Sequence, residues 1–211
     1  MHTSIQQGVI YALSFSSGFS IMGIELLGGR ILAPYFGSSI YIWGSIITVF
    51  MLSLSMGYLL GGKLSTLSTS LKHFAFIFIL SGICVLPIGF YATALMELIF
   101  IYIEDSRYGS LLAATALFLI PTTILGMISP YAIRLLVKNT DESGKVAGKL
   151  YFTSTLGSAL GTIFTSFYLV LWFDINQIIF GFSFLLISLG CLAISLHINQ
   201  KSSSQERSQH A

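Results

Sequence analysis

Charge is what this sequence most lacks. Of 211 residues only 9% are Asp, Glu, Lys or Arg, against roughly a quarter in a soluble domain, so water cannot be its main solvent. None of the four types occurs in 31–62, 74–96, 108–133, 150–173 or 175–200, and the first acidic residue is Glu25. Ten Lys and Arg against eight Asp and Glu leave a net +2. That is too little for the basic face that a phosphate backbone requires, which excludes nucleic acid as a partner. Cysteine is as sparse: Cys84 and Cys191 lie inside apolar runs, without Cys-x-x-Cys or Cys/His spacing, so neither a disulfide framework nor a metal site is expected. No pair of histidines is spaced for haem or metal ligation between helices, and no cofactor is expected. Gly-x-Ser-x-Gly, His-Glu-x-x-His and paired aspartates are all missing, which argues against an intramembrane enzyme. No Lys or Arg precedes the first apolar stretch and no small-residue cleavage site follows it, so a removed signal peptide is not expected.

What is present is hydrocarbon: 55% of the residues are apolar. A bilayer core of about 30 Å takes roughly 20 residues at 1.5 Å rise, and each charge-poor stretch is that long. Unpaired backbone amides in lipid cost several kcal/mol each, and the stretches lack the alternation of barrel strands, so the spans are helices. The expected architecture is an all-α polytopic integral membrane bundle of about six transmembrane helices over 1–200. The spans fall at 8–32, 40–62, 73–97, 109–133, 148–173 and 175–198, with a disordered polar tail over 201–211. A separate interfacial helix around 96–103 is the alternative division of the third region. With both termini cytoplasmic, Lys63, Lys72, Arg134, Lys138, Lys145, Lys149, Lys201 and Arg207 lie inside and only Arg30 and Arg107 outside, a positive-inside bias. Trp43 and Trp172 then fall near outer span ends, where aromatic belts form.

Glu25 is the sharpest single feature, because an acidic residue within a span costs about 2.5–3.5 kcal/mol on insertion scales and is usually paired or functional. Arg30 is its obvious partner. Five residues turn a helix by about 140°, so the two share a face only if Gly28 and Gly29 loosen it. The alternative roles are a substrate or proton site and a structural ion pair. Gly57 with Gly61, and Gly157 with Gly161, are small-xxx-small patterns that suit close helix packing within the bundle, or dimerisation. Pro87 and Pro121 lie inside spans and are expected to kink them. An internal repeat is also expected: GGRILAPY (28–35) echoes GMISPY (126–131), with Pro34 and Pro130 96 residues apart and the glycine pairs 100 apart. Three spans per unit would give a 3+3 inverted repeat, an architecture of secondary transporters.

Several segments together resemble a known bacterial family. They are Phe15-Ser16-Ser17-Gly18 through Glu25 and Arg30 to LAPYFGSS (32–39) and WGS (43–45), then GYLLGGK (57–63), GMISPYAIR (126–134) and GKLYFTSTLGSALG (148–161). In this order they resemble the membrane domain of the spermidine synthase-like proteins, over roughly residues 14 to 165. The resemblance implies a multi-pass protein of the bacterial inner membrane, related to polyamine chemistry and often fused to a soluble aminopropyltransferase-like domain. That domain needs a glycine-rich nucleotide loop and clustered carboxylates, and this chain has neither. The chain itself is therefore not expected to catalyse polyamine synthesis. What the resemblance implies instead is a non-catalytic, transporter-like protein that binds or moves a small cationic metabolite at Glu25 and Arg30. A separate synthase-like subunit would dock on Lys63, Lys72, Lys138, Lys145 and Lys149. The alternative is a membrane scaffold without transport activity that recruits a soluble enzyme, other membrane subunits or a second copy of itself.

Overall fold

A computed structural model describes residues 4–67, 69–137 and 139–209, with side chains for 6–67, 69–137, 139 and 141–196. Among the described residues there is no strand. Helix α1 spans Ser4–Phe36, α2 Ile40–Leu67 and α3 Leu71–Tyr102. The fourth span is divided into α4 (Ser106–Gly126) and α5 (Ile128–Leu136). A fifth comprises α6 (Ser143–Phe164), a π-helical turn at Thr165–Leu169 and the short α7 (Val170–Trp172); the last helix is α8 (Ile175–Gln209). The six spans contain 22 to 32 residues of apolar helix, each enough to cross a hydrocarbon core. Their outward surface fits lipid: Ile40, Leu59 and Trp172 are each more than three-quarters exposed, an arrangement that water would not tolerate over so wide a face.

The connections at one end of the bundle are short, at 36–40, 102–106 and 172–175. Gly37, the sole described residue with positive φ (84°), stops α1 there. Asp105 caps α4, its carboxylate accepting from the Arg107 N–H at 2.8 Å. Ser70 caps α3 at the opposite end by accepting from the Lys72 N–H. α3 is one helix through Tyr102, so 96–103 is not a separate interfacial helix. Met96 and Ile99 continue its buried stripe, and that packing holds the helix together past Glu97.

Neither interior proline interrupts its helix. α3 runs through Pro87 and α4 through Pro121. The fourth span breaks at Met127 instead, whose N–H turns back to the carbonyls of Ile124 and Leu125. Pro130 explains the break. It has no N–H to give the Gly126 carbonyl, and the first turn of a new helix is where such a residue is tolerated. Likewise α8 continues through Gln209, over the tail that composition alone marks as disordered.

Three extensive pairings build the bundle, α1 with α6, α2 with α4 and α3 with α8, and glycine makes each close. A Cβ on Gly157 or Gly161 would strike the carbonyl of Phe15 or Phe19 on α1. On α2, one at Gly57 or Gly61 would strike the carbonyl of Thr123 or Met127. These contacts are reciprocal under one rule, in which α1 maps on α4 by 108 residues, α2 on α6 by 100 and α3 on α8 by 108. Gly57 on Thr123 becomes Gly157 on Phe15 (157 − 57 = 100; 123 − 15 = 108). Gly18 on the Ser154 carbonyl becomes Gly126 on the Leu54 carbonyl (126 − 18 = 108; 154 − 54 = 100). Gly82 against Ser183 and Ile187 becomes Gly190 against Ala75 and Ile79 (190 − 82 = 108; 187 − 79 = 108). The first two pairs run parallel and α3 runs antiparallel to α8. An approximate two-fold axis therefore crosses the helices near Ile79 and Ile187, and the three-span halves are inverted relative to each other. The offset of 96 between Pro34 and Pro130 is not part of this repeat. Pro34 lies in the last turn of α1, whereas Pro130 belongs to the first turn of α5.

Candidate functional site

Helix α1 is the central element, in contact with every other span, and Glu25 stands half-buried along it. The surrounding positions are tightly packed. Gly23 receives the Phe182 ring, Gly28 the Phe118 ring and Gly29 the Trp43 indole. The glycines at 28 and 29 therefore serve close approach, not unwinding, and the helix continues regularly past them to Phe36. Glu25 makes no hydrogen bond or ion pair with another described residue.

Arg30 does not join it. It is exposed and lines a separate cleft of about 170 Å³ with Pro34, Tyr35, Thr93, Met96 and Asn176. An unbroken helix keeps the 140° between the two side chains, so carboxylate and guanidinium present themselves to different neighbours. A second arginine, Arg107, lies 5.0 Å above the Tyr41 ring and ties the start of α4 to that of α2 through a cation–π contact.

Pro87 and Pro121 line one and the same cleft of about 420 Å³ between α3 and α4, together with Ile83, Cys84, Tyr91 and Leu117. Each proline leaves the carbonyl four residues earlier without its helical donor. Those carbonyls belong to Ile83 and Leu117, which both border the cleft.

Lys63, Lys72, Lys145 and Lys149 are all exposed and share the end of the bundle that carries the 67–71 and 136–143 connections. Lys138 lies outside the described residues. Asp141 and Glu142 are exposed at the same end, so the face is mixed in sign rather than uniformly basic. Among the described residues no three His, Cys, Asp or Glu side chains gather in a metal-binding group.

Two polar features escape the sequence reading. The Thr165 and Ser53 hydroxyls are buried without a hydrogen-bond partner among the described residues, and Thr165 opens the π-helical turn, a geometry frequent at functional sites. Tyr131 is fully buried, and its hydroxyl donates to the Ser70 carbonyl (3.2 Å) while accepting from the Ser70 N–H (3.1 Å). Nothing in the sequence points from Tyr131 to Ser70.

Six apolar helices, packed through backbone-to-backbone glycine contacts and clothed in exposed hydrophobic side chains, define a polytopic α-helical membrane protein. No protein-family model, curated protein or solved structure matches the chain.

Proposed function

We propose that this protein binds and moves a small cationic metabolite of polyamine type across a bacterial inner membrane, with Glu25 as the group that recognises the cation. The observation that carries this reading is a half-buried carboxylate, unpaired among the described residues, on the helix that touches every other span. In low dielectric such a group attracts an ammonium strongly: two unit charges 4 Å apart interact by about 4 kcal/mol at an effective dielectric constant of 20. The inverted halves supply the architecture in which one central site faces the two sides of the membrane in turn. The resemblance of 14–165 to membrane domains of spermidine synthase-like proteins supplies the substrate class, and Arg30 sits apart from the carboxylate, where it does not compete with a cation.

Glu25→Gln keeps size and hydrogen bonding and removes the charge. In proteoliposomes it is expected to weaken spermidine uptake by roughly tenfold to a hundredfold, the equivalent of losing about 1.4–2.8 kcal/mol, with insertion and melting temperature unchanged. Undiminished uptake by the variant removes the reading.

The exposed lysines favour a second reading, a scaffold that recruits a soluble synthase-like enzyme at the inner face. With both Lys145 and Lys149 replaced by Glu, the partner should be lost from a pull-down while Glu25→Gln retains it. Retention after the lysine reversal counts against docking there.

A further inference from the structure

Arg30 is a charge without a counter-charge. It makes no hydrogen bond or ion pair with another described residue, and Glu97 and Asp174, the carboxylates that follow Met96 and precede Ile175, do not line its cleft. It lies six positions (36 − 30) before the end of α1 at Phe36, about 9 Å along the axis at 1.5 Å per residue. From there a guanidinium on its long stem reaches the headgroup layer. The exposed Trp172 belongs to the same end of the bundle, as interfacial tryptophans do.

Three further donors share that cleft of about 170 Å³, the hydroxyls of Tyr35 and Thr93 and the amide of Asn176. None of these side chains has a hydrogen-bond partner among the described residues. The Tyr35 ring leans on Phe100, centroids 6.4 Å apart, which holds the ring and leaves its hydroxyl available. Thr115, Thr123, Thr153 and Thr162 each donate to the carbonyl four residues back, but Thr93 does not. The four groups come from three helices: Arg30 and Tyr35 from α1, Thr93 from α3 and Asn176 from the first turn of α8. Arg30 is the one charged residue in the lining, so the cleft calls for an anion. Carboxylate oxygens lie in one plane, whereas phosphate oxygens are set around a tetrahedron and can meet donors from several sides. The guanidinium fork also matches phosphate geometry bidentately, and Pro34 and Met96 offer apolar contact to the carbon of a phosphate ester. We infer that this cleft binds the phosphate group of an anionic ligand, whose source is either a lipid headgroup or a dissolved phosphate. The site is separate from Glu25 and does not depend on the transport reading.

The test uses the full chain in dodecyl maltoside, an uncharged detergent, and reads the melting temperature, which a ligand of the folded state raises. Two probes are titrated separately, inorganic phosphate and dihexanoyl phosphatidylglycerol, against chloride at matched ionic strength. Phosphate also stabilises proteins by exclusion from their surfaces, so the part of the shift that depends on Arg30 is the measure. At least one probe should give a saturable rise. Arg30→Gln should weaken its binding by about tenfold to a hundredfold. Arg30→Lys, which keeps the charge without the fork, should weaken it less, and Thr93→Val by a few-fold. Arg30 and Thr93 are exposed, so without ligand these variants should melt as the parent does. Arg107→Gln, at the same end but outside the cleft, and Glu25→Gln should bind like the parent. The tighter probe names the source: phosphatidylglycerol a lipid headgroup, inorganic phosphate a dissolved anion. The absence of a saturable rise with either probe, a rise indifferent to Arg30→Gln, or one lost equally in Arg107→Gln overturns the site. Equal affinity for succinate, also lost in Arg30→Gln, overturns the phosphate assignment in favour of a carboxylate.

Discussion

Glycine 157 shows how much a single missing side chain carries here. Its place for a Cβ is taken by the Phe15 backbone, which cannot rotate aside as a side chain would, so Gly157→Leu must push α6 away from α1. Overpacking of this kind typically costs about 1–3 kcal/mol and sometimes more. Gly148, on the same helix with no heavy atom within 4 Å of an added Cβ, should accept Leu with a change within about 0.5 kcal/mol. Stability measured by denaturant titration in micelles separates the two, and equal loss at both positions would refute the packing assignment. The four-residue glycine spacing was legible in the sequence because the reason for it is local to one helix. The mates were not, since nothing in 157–161 names Phe15 or Phe19. Glu25 stood out by its cost in lipid, but its apparent pairing with Arg30 rested on an unwinding that the packed glycines at 28 and 29 do not undergo.

At the scale of elements, the six spans were readable because lipid leaves the backbone no other way to satisfy its hydrogen bonds. Their ends were less so. Hydropathy stops at the first charge, while a helix runs on until a cap or a glycine such as Gly37 ends it. Breaks within spans obeyed subtler causes. Pro130 looked like a span end and proved to divide the fourth span, leaving a long Tyr131 N–H to Met127 carbonyl bond of 3.4 Å at the joint; the π-helical turn at 165–169 has no proline or other sequence mark. Two prolines should therefore respond differently to replacement. Pro87 is exposed within α3, so Pro87→Ala restores a helical bond to the Ile83 carbonyl without removing core contacts. An interior proline costs a helix about 3 kcal/mol, and recovery of part of that, about 1 kcal/mol or more, is expected together with slower amide exchange around 87. Pro130→Ala, in a first turn where a proline is tolerated, should change stability by less than about 0.5 kcal/mol. A larger gain at 130 than at 87 would contradict this ordering.

For the whole molecule, the decisive fact is that each major pairing joins a helix of one half to a helix of the other: α1 with α6, α2 with α4, α3 with α8. Within the first half, by contrast, α1 has only modest contacts with α2 and α3. Sequence comparison of the halves could suggest a repeat through the glycine pairs, but it placed the other anchor on Pro34 and Pro130. The glycine-pair offset of 100 does relate α2 to α6, but the offset of 108 that relates α1 to α4 and α3 to α8 emerges only from which backbone lies against which glycine. The consequence is that the halves are not domains. A half expressed alone leaves Gly18, Gly57 and Gly82 without the backbones they fit, and a helix with exposed small residues gains little from lipid in their place. Division of the chain in the 102–106 connection, which preserves all three pairings, should give two fragments that are degraded or aggregate when made separately. Made together, they should co-purify in mild detergent through a tag on one of them. Gly57→Leu, placed in the first fragment, should then sharply reduce recovery of the second, because it strikes the α2 and α4 contact directly. If either half alone proves monomeric and stable in detergent, the bundle is two abutting units and the interlocked packing is not what holds it together.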